Sequence, residues 1–518
     1  MQSIHNAMET MNSLVWGPVM IVLLVGTGLY LTVWLRFVQL RYLKHAVRCI
    51  LGVYDDPDEK GDISHFQALC AALSATIGTG NIAGVATAIA LGGPGAVFWM
   101  WVTALVGMAT KFTSCSLALK YRVIHKDGSA SGGPMYFLEK GLNLRWLGIL
   151  FALCAGFASF GIGCAVQSNS VADGLLGLAP VSWQEICVPK GYPLLGGMVL
   201  LKLLIGVVMA ILVGAVIIGG IKRIGLVASR IVPFMCVLYV ASALVILFLN
   251  ISAIPAAFGQ IFRYAFTPVA AGGGFFGVVL SCTIQKGVAR GVFSNESGLG
   301  SAPMAHAAAK TTEMAREGFV AMLGPLIDTL IICTMTALVI ITSEAWQVKT
   351  SKGELLYGPG GRGMPMKMMV DGEIISVVGT VDNEPKPILD KNGQPYPIPT
   401  SASLTGEAFK AGLPVGGSLI VSISLVFFAF STIIAWSYYG DRCFEYLLGP
   451  RAVTPYRYVY CLAVILGTIS GLDLVWMIAD NLNALMAVPN LIALIGLVGV
   501  AAKETKDYLQ RMRQSHEL

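Results

Sequence analysis

The chain has 518 residues, of which 55% are hydrophobic and only 12% charged, and its mean hydropathy is +0.72. This composition excludes a soluble globule of this size and predicts an integral membrane protein. The net charge of +6 does not indicate nucleic-acid binding, because membrane proteins carry excess Lys and Arg to fix their topology. The 11 cysteines are scattered without CxxC motifs, which indicates neither a disulfide framework nor a metal site.

Apolar segments of about 20 residues, the length that crosses a bilayer, recur along the chain. Lys and Arg concentrate in alternate connecting segments, whereas the short segments on the other side hold only Lys190 and Arg263. The positive-inside rule therefore predicts a cytoplasmic C-terminus and an N-terminus outside. The eleven predicted spans are residues 14–35, 65–91, 95–119, 146–170, 196–219, 226–250, 272–297, 317–342, 414–439, 456–472 and 477–501.

The second span contains a break signal, because residues 73–84, LSATIGTGNIAG, place Gly-Thr-Gly-Asn in its middle. Glycines weaken a helix, and an unwound backbone inside a membrane is tolerated only where protein or a water-filled cavity satisfies its polar groups. The alternative is a glycine-packed helix crossing. An unwound turn offers carbonyl oxygens to a hard cation and amides to a carboxylate. We assign the cation carbonyls to Ser74 and Ile77 and the substrate amides to Thr79, Gly80 and Asn81.

A second stretch, residues 280–291 (LSCTIQKGVARG), repeats six of those twelve positions and predicts a second break beside Lys286 and Gly287. The predicted topology runs the two motifs in opposite directions, as an inverted repeat requires. An ammonium near mid-depth, such as that of Lys286, would attract a substrate carboxylate, compete with a cation or reach an aqueous cavity. The predicted organisation is an all-α membrane protein with an accessory helix and linker (1–63), two five-helix repeats (64–251 and 252–503) and a cytoplasmic tail (504–518).

The loop of residues 343–413 differs from the spans, being polar and rich in Gly and Pro. Its alternating stretch from Glu373 to Val381 follows an Asp-Gly turn, so we predict β-structure, such as a hairpin, in an extracytoplasmic loop. We interpret the loop as a surface insertion, with a lid or a docking cap as the alternative.

Two further groups of residues bear on the predicted site. Ser431 and Thr432 are adjacent hydroxyl residues in an apolar span. Such hydroxyls commonly bond to their own helix, but beside a carbonyl-lined break they complete sodium coordination by oxygen. Asn295 and Glu296 end the descending span, and Glu296 is expected either to be solvated or to pair with Arg290 as an inner gate.

Four stretches resemble the alanine or glycine:cation symporter family, also called the sodium:alanine symporters. They are the 35 residues that begin GTGNIAGVATAIALGGPG at Gly78, SGGPMYF from Ser131, GVARGVFSNESGLGSAP from Gly287 and FAFSTIIAWSYYG from Phe428. The resemblance implies a LeuT-type fold of two inverted five-helix repeats, within the amino acid/polyamine/organocation superfamily. It also implies uptake of small neutral amino acids with sodium or protons.

The resemblance carries site roles onto this chain. It implies substrate contacts at Thr79 and Gly80 and a wall of the pocket at Trp436. The implied sodium site comprises Ser74, Ile77, Phe428, Ser431 and Thr432, and the implied substrate face of the second broken helix comprises Ser281, Thr283, Gln285 and Gly287. Ser114, Asp441 and Ser297 depart from the residues that the family commonly has at those positions.

We therefore expect a sodium-coupled symporter of alanine and glycine in a cell membrane, the inner membrane if the source is bacterial. No cofactor is expected beyond the coupling ion, and the oligomeric state stays open. The alternatives are a proton-coupled or glutamine-preferring carrier, and a channel. An intramembrane enzyme is disfavoured because all six histidines lie at termini, in loops or at span ends.

Overall fold

The protein is described here from a computed structural model, in which helices dominate. The structure describes residues 11, 15–56, 58–126, 128–176, 197–266, 276–347, 357–358, 361–362, 366–370, 373–379, 385–387, 401–469 and 473–515.

The first half of the chain is a series of helices joined by short turns. The helices are α1 (Pro18–Trp34), α2 (Val38–Arg41), α3 (Leu43–Ile50), α4 (His65–Thr76), α5 (Val85–Gly92), α6 (Gly95–Lys120), α7 (Pro134–Leu142), α8 (Arg145–Phe160), α9 (Val166–Leu176), α10 (Gly197–Ile217) and α11 (Gly220–Leu249). Two π-helical turns, Gly80–Gly84 and Gly161–Ala165, precede α5 and α9. Strands β1 (Val123–Ile124) and β2 (Ala130–Ser131) pair antiparallel.

The second half repeats this helical character and adds strands between its helices. After the 3-10 turn Ile251–Ala253, the helices are α12 (Ile254–Phe266), α13 (Phe276–Asn295), α14 (Ala302–His306), α15 (Met314–Ala321), α16 (Leu323–Pro325), the π-helix Leu326–Cys333, α17 (Thr334–Thr342), α18 (Ser401–Gly412), α19 (Gly417–Leu448), the 3-10 turn Pro450–Ala452, α20 (Val453–Ile469) and α21 (Asp473–Gln514). The strands are β3 (Tyr357–Gly358), β4 (Gly361–Arg362), β5 (Met366–Val370), β6 (Glu373–Gly379) and β7 (Pro385–Pro387).

The membrane spans follow the predicted pattern. Among the described residues, eight helices are long and apolar enough to cross a membrane, or nine if α4 and α5 count as one bent span. The remaining two predicted spans are helical as well. One is α1, with 17 residues, and the other is α13, with 20 residues including Lys286 and Arg290.

The first predicted break is present. Helix α4 ends at Thr76, and the axis of the pair bends by 52° before the chain continues into α5. The second predicted break, beside Gln285, Lys286 and Gly287, is wrong, because α13 is continuous from Phe276 to Asn295. The glycines there serve close packing instead, since a Cβ at Gly287 would lie 2.4 Å from the Ala96 carbonyl oxygen on α6.

The 343–413 loop contains the predicted β-structure, because β5 and β6 pair antiparallel with Val370 opposite Glu373. Its last part is a helix that the sequence reading missed. Helix α18 buries Leu404, Ala408 and Phe409, and the Thr405 hydroxyl donates to the Ile82 carbonyl, 2.9 Å away, just past the first break. This packing favours the cap interpretation for residues 401–412 over a detached surface insertion.

Candidate functional site

The first break is a short irregular turn between Thr76 and Gly80, and the side chain of Asn81 holds it together. Ile77 leaves the helical region with φ −78° and ψ 89°. The Asn81 carboxamide oxygen accepts the amide of Gly78 at 2.9 Å, while the amide of Asn81 itself donates to the Gly78 carbonyl at 3.3 Å. The Asn81 amide is therefore bonded within the turn, and its predicted role as a substrate donor stays a prediction.

Oxygen atoms converge on the end of α4 beside this break. The Thr432 hydroxyl lies 3.0 Å from the Ser74 carbonyl oxygen and 2.9 Å from the Phe428 carbonyl oxygen. The Ser431 hydroxyl lies 3.4 Å from the Ser74 oxygen and 2.9 Å from the Phe428 oxygen. The buried side of Gly78 faces the same hydroxyl of Thr432, where a Cβ would lie only 2.6 Å away. Helix α19 thus brings four of the five predicted sodium residues together, with Ile77 next in sequence to Gly78.

The second unwound segment lies after α13, about two and a half helical turns beyond its predicted place at Gly287. Glu296 has φ 54°, and Gly298 and Gly300 have φ near 91° and 92°, so the chain turns through left-handed conformations before α14 begins. These conformations suit glycine and end the helix. A Cβ at Gly80 would lie 3.3 Å from the Ser294 Cα, so the first break faces the last turn of α13.

Asp328, on the π-helix Leu326–Cys333, connects the two irregular segments. One carboxylate oxygen accepts from the Asn81 side-chain nitrogen at 2.6 Å, and the other accepts from the Ser294 hydroxyl at 2.8 Å. The hydroxyl of Thr329 donates to the second oxygen at 2.7 Å and receives the Asn295 side-chain amide at 3.2 Å. A fully buried carboxylate with three donors is therefore well satisfied and ties both helices to one point.

Glu296 is buried and satisfied in a way that neither sequence alternative anticipated. Its carboxylate accepts the indole N–H of Trp436 at 3.0 Å and the Ser301 hydroxyl at 2.6 Å. Arg290 instead places its guanidinium 5.6 Å from the ring of Phe293. The solvated alternative is wrong, because Glu296 is only 5% exposed. Its bonds run to Trp436 and Ser301, and the gate role predicted for Arg290, Asn295 and Glu296 stays a prediction.

A third buried ionisable residue completes this region. Lys111, on α6, is 2% exposed and lies within electrostatic reach of both Glu296 and Asp328. Charged groups inside a membrane are costly and mark functional sites when they are paired. The sequence signal for Asp328 and Lys111 was their isolation in apolar spans, the same signal that directed attention to Lys286.

Thr79 is reached from a cleft on the α18 side of the bundle. The cleft has a volume of about 520 Å³ and is lined by Thr79, Ser170, Asp173, Glu407 and Lys410, among others. At its buried end, the Gln167 side-chain nitrogen lies 3.3 Å from the Thr79 hydroxyl. The Gln167 carboxamide oxygen is buried and has no hydrogen-bond partner in the part of the chain that the structure describes.

Trp436, which the family resemblance places at the wall of the pocket, packs against the turn between α8 and α9. A Cβ at Gly163, on the π-helical turn between α8 and α9, would lie 2.3 Å from the Cβ of Trp436. Glycine therefore lets the indole pack directly against that turn. The indole is fixed by this packing and by its bond to Glu296.

The opposite end of the bundle is closed by polar contacts. The Arg122 guanidinium donates to the carbonyl oxygens of Lys60, Ala307, Ala309 and Thr311 at 2.7 to 3.0 Å. Glu317 accepts the His306 ring nitrogen at 2.5 Å and also contacts His65, the first residue of α4. The segment that precedes the first unwound turn and the segment that follows the second are thus held together at this end.

Several predicted substrate residues lie away from this site. The Thr283 hydroxyl donates to the carbonyl of Gly92 at the far end of α5, and Gln285 donates to the Trp16 carbonyl in front of α1. Lys286 lies beside Gly92 as well, not beside a break. Ser281 lies within the continuous α13, and its side chain is outside the described residues. The predicted substrate face at residues 281–287 therefore lies away from the first break and stays a prediction, while Phe293 and Ser294 lie opposite Gly80.

Three comparisons bear on identity. The chain is 46% identical over 504 residues to the "Sodium/alanine symporter AgcS" of Methanococcus maripaludis, covering 96% of each protein. It is 35% identical to the "Probable sodium/glutamine symporter GlnT" of Bacillus subtilis, covering 99% of this chain and 92% of the relative. A solved structure of MhsT in complex with L-phenylalanine matches with a TM-score of 0.54 at 13% identity, covering 86% of this chain and 93% of that one.

The MhsT match shows the fold, which is the LeuT type expected from the sequence. The sequence pattern of the sodium:alanine symporter family matches residues 1–358 and 391–518. Proteins of this family are multi-pass membrane transporters and not enzymes. The chain therefore belongs to the sodium:alanine symporter family, and it is a secondary transporter that couples an amino acid to sodium.

Proposed function

We propose that the protein takes up a small neutral amino acid, alanine or glycine, with sodium bound among Ser74, Ile77, Phe428, Ser431 and Thr432. The observation that carries this proposal is the convergence of two hydroxyls and two carbonyls at the end of α4. Hydroxyl and carbonyl oxygens without a carboxylate suit a hard monovalent cation.

Charge supports the same ion. Taken with their ordinary charges, the carboxylates of Glu296 and Asp328 outnumber the ammonium of Lys111 by one negative charge. One sodium ion near the first break balances that charge, and a proton on either carboxylate would do so as well. The proton-coupled alternative therefore involves the same residues. The two alternatives are distinguished by which gradient, sodium or proton, drives uptake.

The amino acid is proposed to bind where the cleft ends. Its carboxylate meets the backbone of Thr79 and Gly80, at the start of the second half of the broken helix, where the helix dipole is positive. Its ammonium meets the unpartnered oxygen of Gln167. Its side chain faces Trp436, whose fixed indole favours alanine and glycine over larger residues such as glutamine.

The proposed cycle starts from the arrangement seen here, with a cleft reaching Thr79 from the α18 side and the Arg122 end closed. The ion and the substrate both bind at the first break, and their binding favours an ordered turn there. The closed end at Arg122 then opens. We propose that the Arg122 end faces the cytoplasm, with the C-terminus inside, in a cell membrane such as the bacterial inner membrane.

The test is uptake of radiolabelled alanine by proteoliposomes under an imposed sodium gradient. Ser431→Ala should raise the sodium concentration for half-maximal uptake about tenfold, because it removes one coordinating oxygen at a cost of roughly 1.5 kcal/mol. Ser437→Ala is the matched control, since Ser437 is a buried serine of the same helix whose hydroxyl donates to the carbonyl of Ile434 in its own helix. An equal effect in both variants, or uptake driven by a proton gradient alone, contradicts the sodium assignment.

Competition in the same assay separates the remaining alternatives. A glutamine-preferring carrier would show stronger inhibition of alanine uptake by glutamine than by glycine. A channel would give uptake that does not saturate with alanine and does not concentrate it against a gradient. Saturable, sodium-driven accumulation with alanine and glycine as the best competitors is the expected outcome.

A further inference from the structure

A cleft of about 620 Å³ lies at the end of the bundle where α21 terminates, well away from the site at the two unwound segments. It is bounded by the end of α1, the turn into α2, and the last turns of α21. The turn is tight, because Arg36 and Phe37 both have left-handed backbones with φ 52° and 58°. This turn directs the chain back across the end of α1 and opens the cleft between Trp34 and Leu509.

The cleft concentrates positive charge. Five exposed cationic side chains line it, namely Arg36, Arg41, Lys503, Lys506 and Arg513, and no carboxylate is among its described lining residues. Two nearby acidic groups are engaged elsewhere, since Glu504 pairs with Lys120 and Glu313 with Arg511, and Asp507 on α21 is not among the lining residues. The positive-inside rule explains basic residues at this end of the bundle, but it does not explain their convergence on one cavity.

The surroundings place this cleft at a membrane boundary. Trp34 is the last residue of the apolar helix α1 and is 52% exposed, and Phe37 and Leu40 are exposed beside it. Exposed aromatic residues at the end of a span mark the level of lipid headgroups. Tyr42 lines the cleft, with the Arg41 guanidinium 5.6 Å from its ring and the Arg513 side chain donating to its hydroxyl at 3.3 Å.

We propose that this cleft binds the phosphate headgroup of an anionic phospholipid, with the acyl chains lying along Trp34, Phe37 and Leu40. The guanidinium groups of Arg36, Arg41 and Arg513 can donate pairs of hydrogen bonds to phosphate oxygens, and the lysines add point charges. Basic pockets between spans at a membrane surface bind such headgroups. The lipid would join α1, which lies outside the two repeats, to the end of α21.

The test measures thermal unfolding of the full-length protein in neutral detergent while short-chain phosphatidylglycerol is added. A ligand that binds the folded state raises the unfolding midpoint in proportion to the logarithm of its concentration over its Kd. We expect a saturable rise with phosphatidylglycerol and none with phosphatidylcholine. The triple variant Arg41→Gln, Lys506→Gln, Arg513→Gln should bind phosphatidylglycerol on the order of 100-fold more weakly, because each removed charge costs about 1 kcal/mol of binding free energy.

A second triple variant controls for total charge. Lys126→Gln, Lys310→Gln and Arg451→Gln remove three exposed positive charges from segments at the same end but outside the cleft. This variant should keep the phosphatidylglycerol affinity within about threefold, and both variants should match the unsubstituted protein without lipid. Equal loss in the two triple variants overturns the proposal, as does an equal midpoint rise with inorganic phosphate, which would assign the cleft to a soluble anion.

Discussion

Replacing Asp328 by Asn tests whether the carboxylate that joins the two unwound segments also sets the sodium affinity. Asn preserves shape and can still accept from Asn81 and donate to the Ser294 hydroxyl, so the connection survives in a neutral form. What is lost is one negative charge. Contacts run from Asp328 through Asn81 and Gly78 to Thr432, and we take the separation of Asp328 from the proposed ion as about 10 Å, one helix diameter.

The expected effect follows from that distance. Two unit charges about 10 Å apart interact by roughly 1.7 kcal/mol at an effective dielectric constant of about 20. Asp328→Asn should therefore raise the sodium concentration for half-maximal alanine uptake about 15-fold, since each 1.4 kcal/mol is about a factor of ten. The maximal rate at saturating sodium should change less than this concentration does.

The measurement is alanine uptake in proteoliposomes over a range of sodium concentrations. Asp441→Asn is the control, because Asp441 is also buried and bonds to Arg457 at 2.5 Å, but it contacts neither unwound segment. Asp441→Asn should lower thermal stability without changing the sodium dependence. If Asp328→Asn leaves the sodium dependence unchanged, or if both variants shift it equally, the electrostatic reasoning is refuted.

Three further predictions concern other parts of the chain. Arg122→Gln removes most of the hydrogen bonds that close one end of the bundle, which should lower the free energy of local opening by about 2 kcal/mol. Amide hydrogen exchange of residues 307–311 should then be on the order of 30-fold faster. Arg145→Gln, at an exposed site, should leave that exchange unchanged. Trp436→Phe should widen the proposed pocket and raise the ratio of kcat/KM for glutamine to that for alanine about tenfold, as measured by uptake competition. An unchanged ratio would show that Trp436 does not line the pocket. Burial, with Arg316 and Arg48, lowers the pKa of His45 to about 4 from its ordinary 6.5, so stability is greatest above pH 6.5 and should fall by up to about 3 kcal/mol as the pH drops toward 4. Unfolding midpoints measured from pH 7.5 to 4.5 check this, and His45→Gln should flatten the dependence.

The sequence predicted the first break correctly because Gly-Thr-Gly-Asn combines two glycines with polar Thr and Asn inside an apolar span. A glycine-packed crossing explains the glycines but not the polar residues. The second break was misplaced because glycines in a span can serve either close helix packing or unwinding of the helix. Gly287 and Gly291 allow α13 to pack closely on α6, where a Cβ at Gly291 would lie 2.3 Å from the Thr103 hydroxyl oxygen. Repeated glycine spacing alone cannot separate packing from unwinding, whereas the left-handed turns at Glu296, Gly298 and Gly300 end a helix outright.

The partners of the site were harder to predict than its backbone. Ser431 and Thr432 stood out as hydroxyls in an apolar span, and the structure brings them to Ser74. The contacts of Gln167 with Thr79 and of Asp328 with Asn81 became visible only in three dimensions, because each pair comes from two different helices. Long-range contacts of this kind depend on how the spans pack, which local patterns do not encode.

The division between satisfied and unsatisfied polar groups explains how one site can hold both an ion and an amino acid. The protein's own residues supply hydrogen-bond partners to Asn81, Asp328 and Glu296. These three side chains therefore fix the shape of the two turns. Gln167 keeps a buried oxygen without a partner among the described residues, at a cost of about 1 to 3 kcal/mol that a bound ammonium would remove. Because the proposed ion and substrate both order the turn at Thr79, each should strengthen binding of the other by the same factor, which is the thermodynamic basis of coupled transport.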